Sequence, residues 1–332
     1  MRIVVTGATG FLGRYIVQQL SGAHEIVCLS RSGSAPDGCT GKRVDIVKGR
    51  GLKTAFAKAD VVIHAAGMVS HLMECAKQTW DVHVTGTQNV MEAATSAKVR
   101  RVVLVSTSGT IAVSTDPDAM ATEADPAPEA IISGWPYYRS KLYAEQLALS
   151  YSGPEVICLN PSLLLGPGDD PAGASTHAVR VFLDQGIPVS PSGGMSFVDV
   201  RDVALAVQAA CTAGRPGERY LLSSGNMPFV DFYGMLARIT GRSAPLLAMP
   251  KATRKVLSWM PRLGRSRGIG VGIGPVISRE DLELASHYWY ASSDKAAAEL
   301  GFSPRDPLAT LEDTVDDILA QQAQSFARFR PS

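Results

Sequence analysis

The chain has 332 residues, of which 45% are hydrophobic and 19% charged, and its formal net charge is +1. These values are typical of a globular protein with enough apolar residues for one large domain or two smaller ones. The near-neutral charge argues against a nucleic-acid partner. No apolar run approaches the roughly 20 residues that a membrane span requires.

The five cysteines are scattered, with no C-x-x-C pair. Their odd number and spacing argue against a disulfide framework and against a zinc site, so no metal is expected. Free cysteines fit a reducing compartment, and with a strand predicted from residue 2 we expect no signal peptide. The sequence therefore predicts a cytoplasmic protein.

The chain starts with MRIVVTGATGFLG, a strand followed by a glycine turn. The β-branched run Arg2–Thr6 predicts a strand buried on both faces, and the apolar period from Phe11 to Leu20 predicts a helix. Between them Gly7, Gly10 and Gly13 have G-x-x-G-x-x-G spacing. Such glycines allow a tight turn, close approach of a pyrophosphate and close packing of helix on strand. The helix N-terminus also favours phosphate, so this unit predicts a dinucleotide site.

A second strand is predicted at Glu25–Ser30, and its end is where a dinucleotide fold meets the adenosine ribose. An acidic residue there would accept a hydrogen bond from the 2′-hydroxyl and repel a 2′-phosphate. This sequence has Ser30, Arg31 and Ser32 instead. A fixed cation with two hydroxyls suits the phosphate of NADP, so NADP(H) is expected over NAD(H). The alternative is a solvated arginine in a loop.

Two further strands are predicted at Val44–Val47 and Val61–His64. Asp45 and Ile46 of the first are expected to flank the adenine. The second runs into small residues, which leave room for a ligand at the crevice of the sheet. These small residues are Ala65, Ala66 and Gly67.

The next elements continue to alternate between strand and helix, which is the pattern of a doubly wound parallel sheet, the Rossmann arrangement. They are a helix at Trp80–Ala97, a strand at Val102–Ser106, a helix from Tyr137 and a strand at Val156–Asn160.

The later chain predicts a smaller C-terminal α/β lobe that binds substrate. We assign residues 1–160 and about 187–213 to an NADP-binding Rossmann domain, and about 161–186 and 214–332 to the lobe. Residues 251–267 are both basic and apolar. We expect them to form a cap over the substrate cleft, the alternative being weak association with a membrane surface. The predicted elements of this half are a strand at Phe197–Val200, a helix at Val203–Ala213, a strand at Tyr220–Ser224 and a helix at Val230–Thr240.

Tyr137 and Lys141 are four residues apart on a predicted helix, so they share one face. A neighbouring lysine stabilises the phenolate and is expected to lower the pKa of the tyrosine, which makes it a proton donor or acceptor. The remaining lysine donors can reach ribose hydroxyls. A hydroxyl at the end of the preceding strand can then bind a substrate carbonyl oxygen. The order of glycine turn, hydroxyl-ended strand and Tyr-x-x-x-Lys in one α/β unit predicts hydride-transfer chemistry.

These motifs make the chain similar, nearly end to end, to the extended short-chain dehydrogenase/reductases. The matching segments are TGATGFLG, ADVVIHAAG, VTGTQNVMEAA, VSTSG, PYYRSKLYAE, LLLGPGD and FVDVRDVA. The resemblance implies that Tyr137 is the general acid/base and that Lys141 is its activator and a ribose ligand. It implies Ser108 as the partner of the substrate oxygen, with Thr107 as the alternative.

On the same basis we expect cofactor contacts along the ends of the strands. The expected residues are Thr6, Gly7, Thr9, Gly10, Phe11, Leu12, Gly13, Arg31, Asp45, Ile46, Ala65, Ala66, Gly67, Tyr137, Lys141, Pro161 and Leu163. Family members often dimerise through two helices, here those at 80–97 and 137–150, so a homodimer is expected.

Three positions depart from the family pattern. His83 stands where the family often has asparagine, which puts that polar contact near the cofactor in doubt. Leu163 and Met195 replace an asparagine and an arginine of nucleotide-sugar members. Without these anchors a sugar diphosphate would lack partners. The Pro161–Ser162 form and the C-terminal tail look more like dihydroflavonol-reductase-like and 3β-hydroxysteroid-dehydrogenase-like members, which use ketone, aldehyde or secondary-alcohol substrates.

The sequence thus favours NADP(H)-linked carbonyl reduction, or its reverse, on a small substrate. Apolar residues after Gly67 and at Met195–Phe197 suggest that the substrate has apolar character. One alternative is a nucleotide-sugar epimerase or dehydratase that retains its cofactor. Another is a non-catalytic NADP-binding sensor, against which the intact set of Ser108, Tyr137 and Lys141 argues.

Overall fold

The structure is a computed structural model that describes residues 1–249 and 279–328. Its strands are β1 Arg2–Thr6, β2 Glu25–Ser30, β3 Thr40–Arg43, β4 Val61–His64, β5 Arg101–Val105, β6 Glu155–Pro161, β7 Leu163–Leu165, β8 Val189–Ser190, β9 Gly194–Asp199, β10 Arg219–Leu222, β11 Gly225–Pro228 and β12 Leu247–Ala248.

The α-helices of the described residues lie between these strands and after them. They are α1 Phe11–Leu20, α2 Leu52–Ala55, α3 Ala76–Trp80, α4 Gly86–Ser96, α5 Glu129–Ile132, α6 Pro136–Leu149, α7 His177–Gln185, α8 Val200–Ala210, α9 Phe229–Thr240, α10 Arg279–Leu284, α11 Asp294–Leu300 and α12 Pro307–Arg328.

The large sheet has seven parallel strands in the order β3-β2-β1-β4-β5-β6-β10. Side chains alternate between the faces of a strand, so Ile3 and Val5 pack under α1 and α8 while Val4 packs under α4. The predicted doubly wound parallel sheet is confirmed. Its strand order reverses between β1 and β4, and a ligand crevice forms at the carboxyl ends of the strands there.

A three-stranded sheet, β11-β9-β7, and a two-stranded sheet, β12-β8, form the smaller unit. Its core includes Phe182, Phe197 and Phe232. The boundaries differ from those predicted, because β9 belongs to this small sheet whereas β10, assigned to the lobe, pairs with β6 in the large one. Met195 and Phe197 are buried in this core, so they do not form an open pocket wall.

The predicted strand at Val44–Val47 is wrong. The strand lies earlier, at Thr40–Arg43, where its backbone pairs with β2 and Arg43 stands opposite Ser30. Asp45 ends the extended backbone, because its Oδ1 accepts the Val47 N–H at 3.0 Å and its carbonyl accepts from Gly49. The edge strand has the polar sequence TGKR, which carries no apolar signal.

In the parts of the chain that the structure describes, no helix is long and apolar enough to cross a membrane. The predicted cap at 251–267 lies outside the described residues.

Candidate active site

The glycine turn leaves no room for side chains at two of its positions. Gly7 has a φ of +75°, and a Cβ there would lie 2.7 Å from the backbone carbonyl carbon of Ala65. A Cβ on Gly13 would lie 2.0 Å from the Gly7 carbonyl oxygen. Helix α1 begins at Phe11, and Gly10 gives it no side-chain cap, so no capping side chain occupies its first N–H groups. The turn therefore fits a dinucleotide pyrophosphate.

Gly13→Ala tests this packing. We expect the turn to open and NADPH affinity to fall about 10- to 100-fold, the equivalent of the about 1–3 kcal/mol that overpacking costs. Fluorescence titration with NADPH measures the change. Gly22→Ala is the control, because nothing lies within 4 Å of a Cβ at Gly22. Equal affinities for the two variants would contradict the assignment.

A buried hydrogen-bond chain fixes the loop after β4 beside the glycine turn. Thr6 Oγ1 accepts the Ala66 N–H at 3.3 Å and pairs with His64 Nδ1 at 2.7 Å, and His64 Nε2 pairs with Thr87 Oγ1 at 3.0 Å. Burial, assisted by the Lys141 charge, lowers the pKa of His64 to about 3. The neutral imidazole thus holds the small residues Ala65 to Gly67 at the mouth of the crevice.

The end of β2 presents cations at the expected ribose position. Arg31 and Ser32 are exposed, and Arg43 is exposed on the neighbouring strand, opposite Ser30. Within residues 1–249 and 279–328, neither arginine forms an ion pair with a carboxylate. The hydroxyls of Ser32 and Ser34 are 2.8 Å apart. The arrangement has the charge and donors that a phosphate requires.

Tyr137 lies in the first turn of α6, where Pro136 occupies the position that needs no N–H donor. Tyr137 is buried, and the Thr107 side chain lies near enough to its phenol to affect the pKa. Burial raises the pKa of Tyr137 to about 12, although the Thr107 hydrogen bond acts in the opposite direction. The expected lowering of this pKa is therefore wrong for the protein alone, because desolvation of the phenolate outweighs the stabilising contacts.

Lys141 lies one turn after Tyr137, as predicted, and its Nζ donates to the Val105 carbonyl at 3.0 Å. Burial lowers the pKa of Lys141 to about 8, while Cys158 and Glu145 act to raise it. A Cβ on Gly67 would lie 3.5 Å from Nζ. The ammonium is thus held between the end of β5 and the loop after β4.

The hydroxyl residues follow β5 in a 3₁₀ turn at Ser108–Thr110. Thr107 precedes the turn, and its hydroxyl is the one that contacts Tyr137. Ser108 is buried at 5% exposure beside it. Ser106 Oγ is buried without a hydrogen-bond partner in the described part of the chain. The structure therefore places the Thr107 side chain near Tyr137, and Ser108 follows it as the first residue of the 3₁₀ turn.

His83 replaces the family's asparagine and lies in a π-helical turn, Asp81–Thr85, between α3 and α4. Its Nε2 accepts the Met68 N–H at 3.2 Å, and its Nδ1 pairs with Ser140 Oγ at 2.8 Å. Ser140 Oγ in turn donates to the Tyr137 carbonyl at 2.8 Å. Burial and the Lys141 charge lower the pKa of His83 to about 2. The neutral imidazole thus supplies polar contacts here and ties the loop after β4 to α6.

Sequence reasoning missed an aromatic cluster around the tyrosine. His71 meets Tyr137 edge-on at 5.9 Å and stacks on Tyr138 at the same distance. Trp289 lies 4.9 Å from Tyr138 and 5.7 Å from Trp135. Tyr138 could have been inferred from its place in the helix. Trp289 comes from a distant part of the sequence, and no local pattern indicates it.

The other expected residues lie near the same edge of the large sheet. Asp45 and Ile46 follow β3, Pro161 ends β6, and Leu163 begins β7. Ile46 packs toward Gly86, and its carbonyl accepts a hydrogen bond from Asn89 at 2.8 Å. The carboxyl ends of these strands thus bring the predicted cofactor residues to one side of the molecule.

Comparison with protein families gives a match to the NAD dependent epimerase/dehydratase family over residues 3–223. A putative dihydroflavonol 4-reductase of Synechocystis sp. is 29% identical over 94% of this chain and 92% of its own length. The human 3 beta-hydroxysteroid dehydrogenase type 7 is 26% identical over 91% of this chain and 90% of its own.

Solved structures have the same fold. The crystal structure of gox2253 superposes with a TM-score of 0.81 at 27% identity and covers 96% of this chain and 98% of its own. MoeE5 in complex with UDP-glucuronic acid and NAD has a TM-score of 0.71 at 22% identity and covers 97% of this chain and 100% of its own. At that identity the second likeness shows the fold alone.

Proposed function

Because the chain belongs to the NAD dependent epimerase/dehydratase family, among the extended short-chain dehydrogenase/reductases, we propose that it uses NADP(H) to reduce a ketone or aldehyde or to oxidise the corresponding secondary alcohol. It is an NAD(P)-dependent enzyme, as its reductase and dehydrogenase relatives support. The substrate that we propose is a small molecule of apolar character, on the basis of the apolar Met68 and Val69 that follow Gly67.

The observation that carries this proposal is the group around Tyr137. A buried phenol contacts a hydroxyl at the end of β5, and an ammonium lies one turn further along the same helix. The ammonium lies beside the loop after β4, where a Cβ on Gly67 would be 3.5 Å from it, and this loop packs against the glycine turn that we propose for the pyrophosphate. This is the arrangement that a proton donor beside a hydride-transfer site requires.

Each residue has a distinct role in the proposed reaction. The nicotinamide of the bound cofactor supplies or accepts the hydride. Tyr137 donates a proton to the carbonyl oxygen during reduction, and Ser108 binds that oxygen. Thr107 orients the phenol. It is also the alternative to Ser108 as the residue that binds the substrate oxygen. Lys141 binds the ribose and stabilises the phenolate as the proton leaves.

The protonation states of the two residues suit a proton donor at neutral pH. With the pKa of Tyr137 raised to about 12, the phenol retains its proton at neutral pH. With the pKa of Lys141 near 8, most of the ammonium is charged at pH 7. Carbonyl reduction requires a protonated Tyr137 phenol and a charged Lys141 ammonium. Both forms predominate at neutral pH.

This state predicts the pH dependence of reduction. kcat/KM should be level around neutral pH and should fall as pH rises through about 8, because the free enzyme then loses the Lys141 charge before the Tyr137 proton. Steady-state rates of NADPH oxidation between pH 6 and about 10 measure the profile. A level profile across that range would contradict the role of Lys141.

The charges at the end of β2 support NADP over NAD. Arg31 follows the strand at the expected ribose position, and Arg43 is a second exposed arginine, on the neighbouring strand opposite Ser30. Neither has a carboxylate partner in the described residues, so both are available to a 2′-phosphate. An acidic residue that would accept from a ribose 2′-hydroxyl is not present in the Ser30–Ser34 segment.

We assign the large sheet to cofactor binding and the smaller unit to substrate binding. We also infer a homodimer through the helices α3, α4 and α6. Trp80 and Tyr143 support it, since both are partly exposed, at 37% and 49%, and their rings lie 5.2 Å apart on adjacent helices. Aromatic residues on a helical surface are common anchors of protein interfaces.

A substrate screen tests the proposed function. Purified protein is assayed for NADPH oxidation and NADP reduction with aldehydes, ketones, sterols and nucleotide sugars. Reduction of an apolar carbonyl compound, with stoichiometric NADPH consumption, is expected. Conversion of a nucleotide sugar with tightly held oxidised cofactor and no net NADPH use would support the epimerase alternative and overturn the proposal. Buried Met195 and apolar Leu163 give a sugar diphosphate no polar partner at those positions.

A further inference from the structure

Glu145 is a buried carboxylate that the proposed reaction does not use. It lies in α6 one turn after Lys141, and it is 1% exposed. A buried carboxylate is destabilising unless other groups compensate its charge and fill its hydrogen-bonding positions. The groups that the Glu145 carboxylate contacts therefore indicate which part of the structure it stabilises.

Three elements meet at the Glu145 carboxylate. Its Oε2 accepts from Asn160 Nδ2 of β6 at 2.7 Å and lies 3.1 Å from Thr110 Oγ1 in the 3₁₀ turn. Its Oε1 lies 3.4 Å from Arg219 Nη1 of β10. Burial, with the Glu145 carboxylate nearby, raises the pKa of the Cys158 thiol of β6 well above its usual value. The carboxylate, carried by α6, is thus the common acceptor for two strands and the hydroxyl turn.

The same partners hold the backbone of the catalytic hydroxyls. Asn160 Nδ2 lies 3.2 Å from the Thr107 carbonyl oxygen, and Thr110 Oγ1 lies 2.9 Å from it. Asn160 Nδ2 also lies 3.0 Å from Thr110 Oγ1. Glu145 therefore fixes the two side chains that hold Thr107, the residue whose hydroxyl contacts Tyr137.

Glu145 is also the anion nearest in sequence to Lys141 on α6, and its charge acts to raise the pKa of that lysine. The other titratable groups around Lys141 are uncharged at neutral pH. Burial lowers the pKa of His64 on β4 and of His83 in the π-helical turn. Burial raises the pKa of Tyr137 and of the Cys158 thiol well above their ordinary values. Glu145 is therefore the carboxylate that acts, with Cys158, against the desolvation of Lys141, and Arg219 is the cation that shares this carboxylate.

We propose that Glu145 is a positioning residue for the proposed reaction, on which this inference rests: it places a buried carboxylate one helical turn from Lys141 and holds the Thr107–Thr110 turn against α6. It acts through these two groups and contacts neither substrate nor cofactor.

Glu145→Gln tests the charge, because glutamine retains the shape and an acceptor oxygen. The expected result is a Lys141 pKa about one unit lower, with the alkaline decline of kcat/KM moved to lower pH by the same amount. The Lys141 pKa is measured directly, without substrate, by NMR titration of ¹⁵N-lysine-labelled protein. The resonance is identified by its absence in Lys141→Arg.

Thr110→Val tests the geometry, because valine is nearly isosteric but cannot donate to the Thr107 carbonyl or to Glu145. We expect kcat to fall about 10-fold from misplacement of the hydroxyl turn, with the Lys141 pKa unchanged. This variant leaves the Glu145 charge in place, so it separates the two effects. It also provides a test if Glu145→Gln does not fold.

Glu155→Gln is the matched control for loss of an ion pair. Glu155 lies at the start of β6, and its Oε2 lies 2.7 Å from Arg101 Nη2, whose side chain is buried at 6% exposure. This change should lower the melting temperature but leave the Lys141 pKa and the pH profile unchanged.

A Lys141 pKa that is the same in wild type and Glu145→Gln overturns the proposal. If wild type reduces no carbonyl compound, the proposed function fails, whereas the NMR titration still decides the role of Glu145.

Discussion

Tyr137→Phe should lower kcat for carbonyl reduction by about 10²- to 10⁴-fold, the range that a positioned general acid contributes. The phenol is the proton donor that we propose, and burial raises its pKa to about 12, so it holds its proton at neutral pH. Phenylalanine keeps the aromatic contacts with His71, His83 and Tyr138. NADPH affinity, measured by fluorescence titration, should therefore change little.

Tyr151→Phe is the control for this change, because Tyr151 lies just after the other end of α6. It should have wild-type kinetics. Tyr137→Phe with wild-type kcat would mean that another group protonates the substrate oxygen, and the assignment of Tyr137 would be wrong.

Arg31→Asp should lower the ratio of kcat/KM with NADPH to kcat/KM with NADH by about 100-fold. Loss of a charge-assisted contact to the 2′-phosphate is worth up to about 3 kcal/mol, which corresponds to that factor. The aspartate also repels the phosphate and can accept from the ribose hydroxyl of NADH. Arg43 remains exposed on the neighbouring strand, so Arg31→Asp/Arg43→Ala should shift the ratio further.

Arg242→Asp makes the same change of charge at an exposed residue after α9. It should leave the cofactor ratio unchanged. If Arg31→Asp alters the use of both cofactors equally, the arginine does not recognise the 2′-phosphate and the NADP assignment is wrong.

The parallel sheet could be predicted because its signals are local. The buried strands of the first half are short apolar runs, and the turn between β1 and α1 needs glycine at Gly7 and Gly13 for steric reasons that their spacing reveals. Tyr137 and Lys141 share a helix face by their spacing alone. By contrast, the edge strand β3 is polar and exposed. Because it has no apolar pattern, the predicted strand starts at Val44, four residues after the observed start at Thr40.

The details of the site depend on long-range contacts that the sequence does not encode locally. The rise in the pKa of Tyr137 follows from burial by elements far along the chain, which is why the sequence predicted the opposite sign. The orientation of Thr107 depends on a 3₁₀ turn. Glu145 is polar and lies next to apolar residues in α6, and only its partners on β6 and β10 explain its burial.

The most direct test of the account is transfer of deuterium from NADPH labelled at C4 of the nicotinamide, with each stereoisomer assayed separately. With one of the two labelled stereoisomers, we expect one deuterium on the carbinol carbon of the product for each NADPH oxidised. A substrate converted without deuterium in the product and without net loss of NADPH would contradict carbonyl reduction.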